Sequence, residues 1–236
     1  LTNSELKQGL GITPLDPEAH AWTDSGLDHH IGQFTVLNVE GSRYVYGIAA
    51  YSHFQEDVSF NVGATKQDGA NTLYYAQNLV AYTPGEDNTV GNERGIDHYF
   101  NKVHTPDFAH SYLLTNVLNA DYVDADNIKG PSKGDLGGYL QFSYKKVNNY
   151  QWRNPLNFER ASFDEGLNTD NADDKGHYIY GEKELWYVDT IRSKNHIAIF
   201  YTSKRQDAVS VLDENGGLNQ DVQAPAMLQL DKIELY

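Results

Sequence analysis

The chain has 236 residues, with 33 acidic against 18 basic side chains and a formal charge of −15. That balance argues against nucleic acid and against insertion into or binding on an anionic membrane, because both partners select Lys and Arg. Cysteine is absent, which removes disulfides, thiolate nucleophiles and cysteine zinc sites. No run of about 18 apolar residues is present, so membrane insertion by a helix is not expected. Tyr is counted 17 times, Phe 9 and Trp 3, against one Met. Such aromatic material suits pleated, half-buried surfaces.

Residues 1–32 read as a polar, irregular N-terminal extension, with Pro14 and Pro17 and a short helical turn at Ser4–Gln8. Residues 33–236 read as one β-rich segment. Gln33–Val39 and Arg43–Ala49 flank Glu40-Gly41-Ser42, a turn signal, and form a hairpin. Gln55–Val62 alternates Val58, Phe60 and Val62 with polar neighbours, which predicts a strand. Asn71–Tyr82 is apolar and strand-like, and Pro84–Arg94 is a loop.

The spacing of Phe108, Tyr112, Leu113 and Val117 predicts a helix over Thr105–Asn119, with Thr105 as N-cap and Pro106 at the first helical position. Asp121–Gly138 is a long loop rich in Asp and Gly. Tyr139–Val147 alternates as a strand, and Phe158–Gly176 is a further polar loop. Tyr178–Tyr180, Glu184–Ile191 and His196–Ser203 are strands, the last two joined by a turn at Ser193-Lys194-Asn195. Arg205–Ala224 is irregular. Leu228–Tyr236 closes the chain with Leu228, Leu230, Ile233 and Leu235 apolar and charge between them.

A strand pattern that stops inside an open edge is a pairing hazard. The chain also starts at Leu1 without Met. Both features are expected of a segment of a longer polypeptide. The fold class is therefore mainly β: antiparallel strands and hairpins with long loops and one short helix, as a sheet shell or sandwich segment of a larger protein.

Chemistry-bearing residues cluster in the acidic loop. Asp124, Asp126 and Asp135 fall on positions 1, 3 and 12 of a calcium loop, a register that demands oxygen ligands on a flexible turn. Ile128 and Lys129 stand where that pattern needs an oxygen side chain and Gly. The competing reading is an Asx-turn loop whose carboxylates accept backbone N–H groups. A second acidic cluster, Asp164, Glu165, Asp170, Asp173 and Asp174, is a further calcium candidate, against which Asp173-Asp174-Lys175-Gly176 reads as a hairpin turn into the strand at Tyr178.

His29 and His30 are adjacent, which in an extended strand puts their rings on opposite faces. His98, His104 and His110 lack zinc-site spacing. No nucleophile elbow, phosphate loop or dinucleotide fingerprint occurs. Tyr74-Tyr75, Tyr99-Phe100, Trp152 and Trp186-Tyr187 either stack on sugars or pack in the sheet. No catalytic residue is expected.

Several stretches carry a family resemblance. They are Asp28-His29-His30, Arg43-Tyr44-Val45-Tyr46-Gly47-Ile48, Gly95-Ile96-Asp97-His98, Ala109-His110-Ser111-Tyr112, Asp121-Tyr122-Val123-Asp124, Asp135-Leu136-Gly137, Tyr180-Gly181-Glu182-Lys183-Glu184 and Leu230-Asp231-Lys232-Ile233-Glu234-Leu235-Tyr236. Over about residues 28–236 the chain resembles a region of very large secreted or surface proteins of Gram-negative bacteria, akin to Rhs/YD-repeat and toxin-complex shell proteins. The resemblance implies a building block of a coiled sheet that encloses a toxic domain, located outside the cell or on its surface. Its implied partners are the remainder of its own polypeptide and a component of a secretion machinery. The chain has no tandem Tyr-Asp repeat and no self-cleaving aspartates of the shell core, so no catalytic residue carries over. The alternative to a structural segment is a calcium-assisted β-sandwich that binds a glycan.

Overall fold

A computed structural model describes residues 1–12, 27–63, 78–164 and 173–236. The elements are α1 (Asn3–Lys7), β1 (Phe34–Leu37), β2 (Arg43–Gly63), β3 (Leu79–Ala81), β4 (Phe100–Thr105), β5 (Phe108–Leu118), β6 (Tyr139–Asn154), β7 (Arg160–Asp164), β8 (Asp174–Ser193), β9 (Ile197–Val209) and β10 (Ala226–Leu235). The fold is mainly antiparallel β, with ten strands in one sheet among the described residues.

Two long strands organise it. β2 pairs on one flank with β4 and then β5, and also with β1 and β8. β8 pairs with β2, β6, β7 and β9. The ladders β2–β5, β5–β6, β6–β8 and β8–β2 close a circuit of four strands. Closure of this kind removes strand edges that an open sheet would present.

The expected helix at Thr105–Asn119 is instead the strand β5, and this is a correction. β4 and β5 run consecutively along β2: Thr105 lies opposite Gln55 and Phe108 opposite Ser52. Pro106 falls in the break between them, where no ladder donor is needed. Register shifts between Val45 and Ile48 and between Ala50 and Tyr51 interrupt the two-residue alternation. Bulges mix the faces of a strand, so apolar residues at near-helical spacing arise without a helix. The sheet partner, not local spacing, decides the state.

Other segments follow the sequence with extensions. The hairpin of β1 and β2 has Phe34 opposite Tyr46 and Leu37 opposite Arg43, and Gly41 takes φ +86° at its turn. The helical turn at Ser4–Gln8 is α1, capped by Thr2 and Glu5 in a reciprocal capping box. Tyr178–Tyr180 and Glu184–Ile191 belong to one continuous strand. Phe158–Gly176, expected as loop, contains β7 and the start of β8, because Ser162 to Asp164 pair with His177 to Lys175. β9 continues to Val209, into the stretch expected to be irregular. Of Asn71–Tyr82, Leu79–Ala81 is strand and 71–77 lies outside the described residues.

The main core joins Val58, Phe60 and Val62 of β2 to Val80, Tyr82, Ala161, Phe163, Tyr178, Tyr180 and Val211. Val45, Leu118 and Tyr139 form a second cluster, with Tyr122 packed against it. That second cluster anchors the acidic loop.

Candidate functional site

The loop between β5 and β6 folds back on itself through a bridge between Val123 and Leu136. Asn127 (φ +59°), Gly130 (φ +93°) and Gly137 (φ +77°) make its reversals. Three elements hold it in place. Arg43 of β2 lies 5.6 Å from the Tyr122 ring, Gln141 Nε2 of β6 donates to Pro131 O at 2.9 Å, and Lys194 Nζ donates to Asp135 O at 2.9 Å.

This fold brings Asp124, Asp126 and Asp135 together, each with a carboxylate oxygen within 4.8 Å of the others. Asp135 is fully buried, while Asp124 and Asp126 are exposed. The Asp135 carboxylate accepts from Tyr122 Oη at 2.8 Å, Ser132 N at 2.8 Å and Ala125 N at 3.0 Å. Burial pushes its pKa up, but these hydrogen bonds outweigh burial and hold it below the ordinary carboxylate range. Tyr122 is pushed up by burial and by its bond to Asp135.

Asp124 Oδ1 accepts from Asn127 N at 2.8 Å. Asp126 accepts from Ile128 N at 2.9 Å and from Ser132 Oγ. The Asx-turn reading is therefore realised alongside the convergence. A carboxylate offers about four acceptor positions, so Asp124 and Asp126 retain capacity for a hard cation, whereas Asp135 is already engaged by Tyr122 and by the backbone of Ser132, Ala125 and Asp126. The loop is a hydrogen-bonded clasp with two exposed carboxylates turned toward the buried third.

The second acidic cluster does not converge. Asp164 contacts His177 at 2.9 Å, whereas Asp173 accepts from Asn61 and pairs with Lys175 at 2.7 Å. Glu165 and Asp170 lie outside the described residues. His29 and His30 sit in a turn, so their rings meet at 4.7 Å, which corrects the expectation of opposite faces. His104 packs on Phe54 and His110 bonds to Glu184 O, so the three spaced histidines are separately engaged or exposed.

The aromatic pairs are partly tied into the sheet. Lys146 lies over Trp186 at 5.2 Å, Lys183 over Trp152 at 5.4 Å, and Phe100 packs on the main core. Tyr74 and Tyr75 lie outside the described residues.

Sequence reasoning missed a buried polar centre at Glu184. The β2–β8 ladder ends at Ser52 opposite Lys183, and Glu184 is the next residue of β8. Its side chain is 1% exposed. It accepts from Lys146 Nζ at 2.6 Å, Trp186 Nε1 at 3.1 Å and Tyr51 N at 3.2 Å, and it pairs with His53 Nε2 at 3.1 Å. His53 also faces Asp107 at 3.6 Å. A buried carboxylate is tolerated only when it is paired and hydrogen-bonded, and Glu184 meets both conditions. The alternation of Lys-Glu-Leu-Trp was a strand signal, but nothing local marked this glutamate as buried.

Among the described residues no helix is long and apolar enough to cross a membrane. Comparison with protein-family models, with curated proteins and with solved structures finds no match.

Proposed function

We propose that this chain is a non-enzymatic structural segment of a large secreted or surface protein, of the Rhs/YD-repeat shell kind, and that it joins neighbouring β structure of its own polypeptide. One observation carries the reading: an apolar sheet face that runs out to an edge with no further strand partner among the described residues. Phe142 of β6, Ile191 of β8, Ala198 of β9 and Leu235 of β10 lie opposite one another in register. The row reaches β10, whose only strand partner among the described residues is β9.

On β10 a register shift between Leu230 and Lys232 reverses the alternation. The bulge puts Leu228, Leu230, Ile233 and Leu235 on one face. Leu230, Ile233 and Leu235 are 55%, 53% and 72% exposed. The opposite face is polar: Tyr201 Oη donates to Glu234 at 2.8 Å, and Ser203 Oγ donates to Asp231 at 2.9 Å. An apolar face beside a strand edge that pairs with nothing further among the described residues fits the addition of further strands. In this reading the Asp124, Asp126 and Asp135 loop is a clasp that a Ca²⁺ ion strengthens.

The test is the mass of the intact source protein, paired with the solution behaviour of the isolated chain. A source protein several times larger than 26.6 kDa, with an isolated chain that self-associates, supports the reading. A source mass near 26.6 kDa with a monodisperse chain overturns it. The convergent aspartates favour a second reading, a calcium-assisted glycan-binding module. Polysaccharide affinity abolished by chelator would select that reading over the first.

A further inference from the structure

Glu56 of β2 is 1% exposed. Its Oε2 takes the ammonium of Lys102 at 2.6 Å. Its Oε1 is buried and finds no hydrogen-bond donor among the described residues. A buried acceptor left bare is unfavourable and calls for a partner.

Arg153 of β6, Tyr180 of β8 and Glu56 of β2 lie opposite one another in register, and Arg153 holds the backbone of Glu214, so the loop between β9 and β10 brings a second acid to Glu56. That loop is pinned where it stands. Arg153 Nε donates to Glu214 O at 2.7 Å, Glu159 N to Asn215 O at 2.8 Å, and Gly217 N to Leu156 O at 2.8 Å. Val211, at the loop's start, is in the main core. Glu214 is therefore held against Glu56 by contacts that do not involve its own carboxyl. A carboxyl beside a negative charge releases its proton less readily, and a proton kept on Glu214 supplies the donor that Oε1 lacks.

We propose that the Glu214 carboxyl keeps its proton and donates it to the bare Oε1 of Glu56, and that this hydrogen bond makes the clasp of the 210–219 loop on β2 dependent on pH. Every packed element contributes to its surroundings. Lys102 and His104 come from β4, His104 lying opposite Glu56 in register. Tyr180, also opposite Glu56, and Tyr178 come from β8. Arg153 comes from β6, and Asp213 from the loop itself. Lys102 compensates one negative charge, and Asp213 adds another.

Burial first, and then the charge of Glu56, hold the Glu214 carboxyl above its ordinary range. A carboxyl raised in the folded state binds its proton more tightly there than when unfolded. Its stabilising contribution is complete below the unfolded pKa and is lost as pH rises through the folded pKa.

The experiment uses the full 236-residue chain. Carbon-13 NMR follows the glutamate carboxyls of the wild type, and unfolding midpoints are compared with those of Glu214→Gln between about pH 4 and about pH 8. The expected result is a Glu214 carboxyl that titrates above the ordinary glutamate value. The wild type should also lose about 3 °C more than Glu214→Gln over that range. A Glu214 carboxyl titrating at or below the ordinary value overturns the proposal. So does a Glu214→Gln midpoint that falls as far as the wild type's. The wild-type titration decides the matter if the variant does not fold.

Discussion

The backbone N–H of Tyr51 donates to Oε2 of Glu184 at 3.2 Å, at the point where β2 leaves β8. A strand that parts from its neighbour leaves a backbone donor without a ladder acceptor, and a buried donor needs one. Glu184 supplies it. The Glu184 backbone carbonyl is in turn bonded by His110 Nε2 of β5 at 3.2 Å. The fork between the two longest strands is thus closed by side chains where the ladder stops.

Glu184→Ala should be among the most destabilising single changes in the molecule. It removes the acceptor of Tyr51 and Trp186 and strips Lys146 and His53 of their shared carboxylate. Breaking a buried pair by removing one partner costs about 3–5 kcal/mol. Lys146 keeps some exposure, so about 3 kcal/mol is expected. Urea unfolding followed by tryptophan fluorescence measures it, and a loss of less than about 1 kcal/mol would contradict the role given to Glu184.

Asp135→Ala should unlock the acidic loop while leaving the sheet in place. Tyr122 Oη and the N–H groups of Ala125 and Ser132 lose their common acceptor, and each of these donors is at least partly buried. Leaving buried donors unsatisfied costs about 1–3 kcal/mol each before relaxation. Amide hydrogen exchange should show lost protection at Ala125 and Ser132 and unchanged protection across the β6–β8 ladder. Acid should act in the same direction. A carboxyl with a lowered folded pKa stabilises above its unfolded pKa and loses that contribution as pH falls through the folded value. The loop should therefore loosen in strong acid, below the ordinary aspartate range.

Calcium should raise the thermal midpoint of the wild-type chain, and chelator should reverse the gain. Binding to the folded state alone adds RT ln(1 + [L]/Kd), about 2.7 kcal/mol at a hundredfold excess over Kd. Asp126→Asn keeps the acceptor for Ile128 N, places an amide N–H where Ser132 Oγ can accept from it, and removes one charge, so it should weaken calcium binding with little change in the metal-free midpoint. Equal calcium response in both proteins would remove Asp126 from the site.

Gly137→Ala should fail at the turn into β6. Gly137 takes φ +77°, and a Cβ there would stand 2.2 Å from Asp121 O, a backbone atom. Strain at a positive φ alone is about 1–2 kcal/mol, and the clash adds to it. A drop in the unfolding midpoint of at least about 3 °C checks this. Gly85→Ala, at φ +78° in open space, separates the strain from the clash.

Ile233→Lys should leave the fold intact and reduce self-association. Ile233 is 53% exposed on the apolar side of β10, opposite Phe200. Surface changes away from buried contacts usually move stability by less than about 0.5 kcal/mol. Light scattering against concentration gives the readout, and aggregation equal to the wild type's would mean that this face is not the adhesive one.

The sequence by itself determined the β content, the first hairpin and the hairpin turn at Ser193–Asn195, and it singled out Asp124, Asp126 and Asp135 without bringing them together. These rest on short-range physics: alternation, turn residues and Asx geometry act over a few positions. The tertiary structure alone decided that Phe108–Leu118 is strand, because its long partner β2 and the bulges along it lie far away in the chain. It alone decided that Glu184 and Glu56 are buried, since each becomes so only when strands from distant parts of the chain meet. Glu214 belongs to the same class, because a loop residue finds its acidic neighbour only after the loop is pinned by Arg153. Local pattern sets which elements form, and long-range pairing sets which of their polar groups leave water.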